Sequence, residues 1–165
     1  MLIKEAIRLQ QLSVFIKKDH KESPVIFDSS NYLSHIEKVE ELKGFKLRNN
    51  KTILFSSDPD VELVNSDGTT LAVIEIKGGR DTAGALERYG AAKKSFEDAQ
   101  SYNPNVVTVF LANCITKSVE SKILEDKTFS KYYDLSTFLT NDDNKMNFFN
   151  FVFNKLLKCP ESGNI

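Results

Sequence analysis

The sequence predicts an α/β protein in which helices flank a mixed β-sheet, and three stretches carry that prediction. Residues 61–64 (VELV) and 71–76 (LAVIEI) flank Asp67 and Gly68, and an Asp-Gly pair between apolar alternations is the strongest short-range signal for an antiparallel hairpin. Residues 106–112 (VVTVFLA) are almost continuously apolar, as in strands buried on both faces. Between them, roughly from 82 to 101, apolar side chains recur at helical spacing. Strand, helix and strand then form a crossover that sets the last strand parallel to the second hairpin strand. An antiparallel hairpin joined to a parallel crossover makes a mixed sheet.

At 165 residues the chain is expected to be a single domain, or the catalytic portion of a longer protein, with one substantial core. Apolar residues recur at Leu2, Ile3, Ala6, Leu9, Phe15 and Ile16, which fits an amphipathic helix over residues 2–18. Ser23 and Pro24 break that pattern, and Val25, Ile26 and Phe27 form a short apolar run of undefined type. A second helix is predicted from Ser29 or Ser30 as N-cap to near Gly44. Its apolar arc holds Tyr32, Leu33, Ile36, Val39 and Lys43, with Glu40 inside the arc and Glu41 outside it. Residues 45–57, centred on KTILF, read as the first strand. Pro59 cannot donate to a ladder and belongs at a strand start, an edge or a bulge.

With Asp67 and Gly68 at the centre of a two-residue turn, Ser66 faces Thr69. Counting outward sets Glu62 opposite Val73, Asp60 opposite Glu75 and Asp58 opposite Lys77. Opposed residues share a face, so Asp58, Asp60, Glu62, Glu75 and Lys77 project to one side. Val61, Leu63, Ala72, Ile74 and Ile76 project to the other, which is expected to be core. Like charges directly across a strand pair repel, and a divalent cation removes the conflict between Asp60 and Glu75. Hard cations such as magnesium take oxygen ligands, commonly one or two carboxylates plus waters and substrate phosphates. Beside such an ion, Lys77 can orient an attacking water, which is the chemistry of phosphodiester hydrolysis. The alternative is a solvated hairpin face, with Asp58 and Lys77 as an ordinary surface ion pair worth about 0–1 kcal/mol.

Pro59 and Asp60, followed after fourteen residues by Glu75, Ile76 and Lys77, resemble the proline-aspartate, acidic-x-lysine motif, PD-(D/E)xK, of many restriction endonucleases and DNA repair nucleases. The run PDVELVNSDGTTLAVIEIKGGRDTAGALERYGAAKKSF is similar to the XcyI-type type II restriction endonucleases. The resemblance implies a restriction-endonuclease-like core with a catalytic hairpin, and magnesium-dependent hydrolysis of double-stranded DNA. It implies that Asp60 and Glu75 are metal ligands, that the main-chain carbonyl of Ile76 is a further ligand, and that Lys77 is the catalytic lysine. Nucleases of this class often add a glutamate from a preceding helix, which offers a role for Glu40. The other reading of Glu40 is a side chain with a buried stem whose head reaches solvent. Glu62, on the same face, is a candidate for holding a second ion.

After Lys77, the sequence GGRDT supplies a glycine pair and an Asp or Thr to cap the helix over roughly 82–101. Leu86, Tyr89, Phe96 and Ala99 form its apolar face, and Gly84 and Gly90 suggest close packing on the sheet or close approach of a partner. Arg80, Arg88, Lys93 and Lys94 read either as solvated charges or as contacts to DNA phosphates. Asn103 and Pro104 end this helix. Thr116 to Asp126 reads as a short helix, and residues 129–140 are aromatic-rich with undefined conformation. The last helix is expected over residues 141–158, where Phe148, Phe149, Val152, Phe153 and Leu156 form an apolar face that is either core or a homodimer surface.

A net charge of -1 weighs mildly against nucleic acid, but the 22 basic residues are enough for a local patch. Cys114 and Cys159, with two histidines, are too few for a zinc cage, and a cytoplasmic pair reads as two free thiols. No apolar run approaches a membrane span, so a cytoplasmic protein with no membrane partner is expected. The expected function is therefore a magnesium-dependent type II restriction endonuclease. The alternatives are a structure-specific repair or junction nuclease, and a non-catalytic DNA-binding or interaction module that keeps the fold.

Overall fold

The computed structural model describes residues 1–25 and 39–159. The chain begins with α1 (Leu2–Arg8), β1 (Leu12–Lys17), β2 (Glu22–Pro24), a 3-10 turn (Val39–Glu41), β3 (Leu42–Leu47) and β4 (Thr52–Phe55). It continues with the hairpin β5 (Val61–Val64) and β6 (Thr70–Lys77), then α2 (Ala85–Tyr102), β7 (Val107–Ala112), α3 (Lys117–Glu125) and β8 (Lys131–Asp134). Two helices close it, α4 (Leu135–Thr140) and α5 (Asp142–Phe149), the second running on as π-helix over Asn150–Leu156. Among the described residues the strands form one sheet in the order β2-β1-β3-β4-β5-β6-β7-β8, antiparallel as far as β6 and parallel from β6 to β8. The mixed sheet and the crossover are as the sequence predicts.

Alternate residues of β6 and β7 enter different cores. Ala72, Ile74, Val109 and Leu111 join α1, α4 and α5 through Leu2, Ile3, Phe138 and Phe148. Val73, Phe110 and Ala112 join α2 and α3 through Ala92, Phe96, Val119 and Ile123. The sheet is thus the middle of three layers, and both faces of its centre are covered.

Several predicted elements differ. Residues 2–18 form a helix and then a strand: Gln10 takes a left-handed conformation (φ 54°), and the alternating Leu12, Val14 and Ile16 pair with strands on both edges. Branched side chains suit a pleated sheet better than a helix. Most of the second predicted helix falls on residues 26–38, outside the described residues, but its end is strand. Leu42, Phe45 and Leu47 are buried, and a side chain at Gly44 would collide with the Ile53 carbonyl. The single strand expected over 45–57 is two strands joined at Arg48–Lys51, where Asn50 takes a left-handed conformation (φ 62°) that asparagine tolerates.

The hairpin has the predicted register over residues 61–63, for an unexpected reason, whereas the pairs of Asp60 with Glu75 and Asp58 with Lys77 expected further out are not part of the ladder. Its turn is one residue longer: Gly68 N–H donates to the Asn65 carbonyl, Asn65 N–H donates to the Thr69 carbonyl, and Gly68 has φ 86°. A bulge between Leu63 and Val64 then shifts the ladder back, so Glu62 does face Val73. Two irregularities cancel. Beyond Val61 the ladder stops, and Pro59 stands in the bend before β5.

Helix α2 turns Tyr89, Phe96 and Ala99 of its expected apolar face towards the core, but not Leu86. Ala85, Ala92, Ser95 and Phe96 are buried, whereas Leu86 is 53% exposed. No close packing explains Gly90, since a Cβ built on it meets open space. Gly90→Ala is therefore expected to stabilise the protein by about 0.5–1 kcal/mol, read as a raised thermal midpoint. Against the first half of α2, Asp126 accepts from Tyr89 Oη (2.7 Å) and pairs with Lys93 Nζ (2.7 Å). Burial would raise the Asp126 pKa, but these bonds outweigh it and hold the carboxyl well below the usual range. That contribution is present at neutral pH and is lost as the pH falls through the carboxylate range.

Helix α3 lies where expected, capped by the Thr116 hydroxyl, which accepts from Val119 N–H. The undefined aromatic segment is β8 and α4. In the last helix Phe148, Val152 and Phe153 are core, with Phe138 meeting Phe148 edge-on at 5.2 Å, so that face is occupied within the chain. Cys114 and Cys159 are free, and burial pushes the Cys159 thiol up to about 11. Among the described residues no helix is long and apolar enough to cross a membrane.

Candidate active site

Strand β6 carries Glu75, Ile76 and Lys77 at its C-terminal end, beside the point where β5 has not yet begun. Period-2 alternation sends Glu75 and Lys77 to the α2 side and Ile76 to the other. Asp60 closes the gap in the ladder: its Oδ2 accepts from the Ile76 amide at 2.7 Å, where a β5 carbonyl would otherwise serve. The N–H and C=O of one strand residue leave on the same edge. The Ile76 carbonyl therefore also faces the Asp60 edge, past the last β5–β6 pair at Val61 and Ile74.

Lys77 joins the two acids. Its Nζ lies 2.5 Å from Glu75 Oε2 and 3.6 Å from Asp60 Oδ2. Burial alone would lower the pKa of the Lys77 ammonium, but the hydrogen bond and charge of Glu75, with Asp60 behind them, outweigh it. The pKa is raised, and Lys77 is a cation at neutral pH. Glu75 itself is only 2% exposed, and its Oε1 accepts from Ser95 Oγ of α2 at 2.8 Å. Glu75 is thus not on a solvated face, since α2 covers it, whereas the side chains of Lys77 and Asp60 stay 26% and 32% exposed.

Asp60, Glu75, Ile76 and Lys77 are brought together; the other candidates are not. Asp58 does not pair across the sheet with Lys77. It is exposed, precedes the strand, and lines a cavity of about 540 Å³ with Glu62, Ser95 and Asp98. Glu62 turns away to the Thr70 hydroxyl, which donates to its Oε1 at 2.5 Å. Glu40 is not in a helical arc: it is exposed in the 3-10 turn before β3. Strand β3, which this turn precedes, is separated from β6 by β4 and β5.

The basic residues also divide. Arg88 clasps the loop after Lys77, donating to Asp81 Oδ1 (3.0 Å) and to the Asp81 carbonyl. Gly79 and Gly84 leave room for its guanidinium, which a Cβ at either position would strike. Asp81 caps this loop by accepting from Gly84 N–H at 2.7 Å. Lys93 is paired with Asp126, whereas Arg80 and Lys94 are exposed. On the other side Asn113, which follows β7, donates its amide to the Lys77 carbonyl (3.0 Å) and its side chain to that of Gly78 (3.2 Å).

Two carboxylates and a main-chain carbonyl on one open edge form a hard-oxygen donor set. Among the described residues no group of three or more His, Cys, Asp and Glu forms a protein cage for a metal. Such an edge suits an ion that keeps several waters, as magnesium does. Ser95, Arg88 and Asn113 support this edge, and sequence reasoning missed those roles. A polar residue on the inward face between Ala92 and Ala99 was the available signal for Ser95.

A family model described as XcyI restriction endonuclease matches residues 36–157, most of the chain and all of the elements that build this edge. Comparison with curated proteins gave no match, and comparison with solved structures gave none.

Proposed function

The chain belongs to the XcyI restriction endonuclease family, and from that premise we propose that it is a single nuclease domain cutting double-stranded DNA with magnesium in the cytoplasm. Asp60, Glu75 and the Ile76 carbonyl are the metal ligands, and Lys77 is the catalytic lysine. What carries this reading is the convergence of Asp60, Glu75 and Lys77, with one ammonium within 3.6 Å of one acid and 2.5 Å of the other.

Magnesium, when bound, lowers the pKa of a coordinated water and neutralises charge on the phosphoryl oxygens. Asp60 and Glu75 bring the negative charge and the oxygens that hold the ion against the sheet edge. Asp60 keeps its orientation through the Ile76 amide. Protonated Lys77 donates to the attacking water or to the phosphate oxygen on which charge grows. The water oxygen forms its bond to phosphorus as the bond to the leaving sugar oxygen breaks; the water's proton passes to solvent, and the leaving oxygen takes a proton from solvent to become a hydroxyl. One such site cuts one strand, so a two-fold homodimer is the economical way to cut both.

Digestion of supercoiled plasmid in magnesium and in EDTA, with wild type beside Asp60→Asn, tests the reading. Discrete linear fragments are expected from wild type in magnesium alone, with Asp60→Asn at least about 100-fold slower. A smear or nicked circles only would favour the repair or junction nuclease. Equal cleavage by Asp60→Asn would remove the proposed site, and no cleavage with any divalent ion would favour a binding module.

A further inference from the structure

Ser95 is the one buried polar residue of α2, set among Ala85, Ala92 and Phe96 on the face that packs against the sheet. Serine is neutral to unfavourable in a helix interior, and once buried its hydroxyl needs a partner. That partner is Glu75 Oε1, at 2.8 Å. The other carboxylate oxygen, Oε2, takes Lys77 Nζ at 2.5 Å. The two oxygens are therefore held by donors from two different elements, one a helix and one the strand itself.

A glutamate's last torsion is broad, so a carboxylate held at one oxygen still rotates about its stem. A second donor fixes its plane. Each oxygen accepts more than one bond, so both keep acceptor capacity after these two contacts. Groups that hydrogen-bond a ligating carboxylate orient it, and losing one typically costs 10–100-fold in metal affinity. We infer that Ser95 is a positioning residue for Glu75: it fixes the plane in which that carboxylate meets the divalent ion. This rests on the metal-ligand role proposed above for Glu75. Ser95 borders the cavity lined by Asp58, Glu62 and Asp98, but it is 8% exposed and its hydroxyl is directed to Glu75.

Titration of the intact protein with Mn2+ in the absence of DNA, followed by the electron paramagnetic resonance signal of the free ion, tests this without cleavage. Ser95→Ala is expected to weaken Mn2+ binding by about 10–100-fold. Ser95→Thr, which keeps the hydroxyl, is expected to recover most of that loss, and Glu75→Gln to bind most weakly of all. Thermal midpoints in EDTA accompany the titration. A lower midpoint for Ser95→Ala with unchanged Mn2+ affinity would make Ser95 a purely structural partner and overturn the inference, provided Glu75→Gln still weakens binding. Wild-type affinity in Glu75→Gln would instead remove Glu75 from the metal, and the role of Ser95 with it.

Discussion

Lys77→Ala is expected to lose cleavage by about 10³-fold or more, equivalent to roughly 4 kcal/mol of transition-state stabilisation. The size follows from what is lost: a cation held at one edge by two acids, which the reaction does not have to reorganise when charge develops on phosphorus. Folding should survive the change, because the Lys77 side chain packs into neither core and is 26% exposed. Glu75 would, however, remain buried with Ser95 as its remaining hydrogen-bond donor, so the variant should be less stable in EDTA than in magnesium. Single-turnover plasmid cleavage measures the first effect and thermal unfolding with and without magnesium the second. A Lys77→Ala rate within about tenfold of wild type would take the lysine out of the chemistry.

Phe96→Ala is expected to cost about 3–5 kcal/mol of stability, a large part of the roughly 5–15 kcal/mol typical of a folded domain. Phe96 is 0% exposed and meets Phe129 edge-on at 5.2 Å, so its removal leaves a cavity between α2 and the sheet. Urea unfolding should show a lowered midpoint with little change in slope. The ring also neighbours Ser95 in sequence, on the same helix that holds Glu75. Loss of the ring is expected to act mainly through the folded fraction, leaving the rate per folded molecule within about tenfold of wild type at low temperature. A destabilisation under about 1 kcal/mol would mean that α2 closes over the cavity and is less firmly seated than its burial indicates.

The hairpin and the shared face of Glu75 and Lys77 were legible because their signals are local. Asp67 and Gly68 mark a turn within a few residues, and alternation along residues 61–64 and 71–76 assigns each side chain to a face. Even so, the register rested on two unseen features, the longer turn and the bulge at Leu63 and Val64, each shifting it by one residue in opposite directions. The crossover was legible from the apolar run at 106–112, whose length and β-branched residues between turn signals suit a strand covered on both faces. Residues 2–18 misled for the converse reason: short apolar runs fit a helix or a strand, and only the pairing of Val14, Phe15 and Ile16 with two neighbouring strands decided between them.

By itself, then, the sequence determined the mixed sheet, the hairpin and the sharing of one face by Glu75 and Lys77, all consequences of turn chemistry and of the strand's period of two. What only the tertiary structure decided is what covers that face. Alternation tells Glu75 from Ile74 but cannot say whether the polar side meets water or a helix. The answer lies twenty residues further on, where α2 folds back, buries the carboxylate and sets Ser95 against it. Arg88 reads in sequence as one more surface cation, yet it is spent inside the loop beside Lys77. Contacts of that kind depend on which elements pack together, and packing is a property of the whole chain.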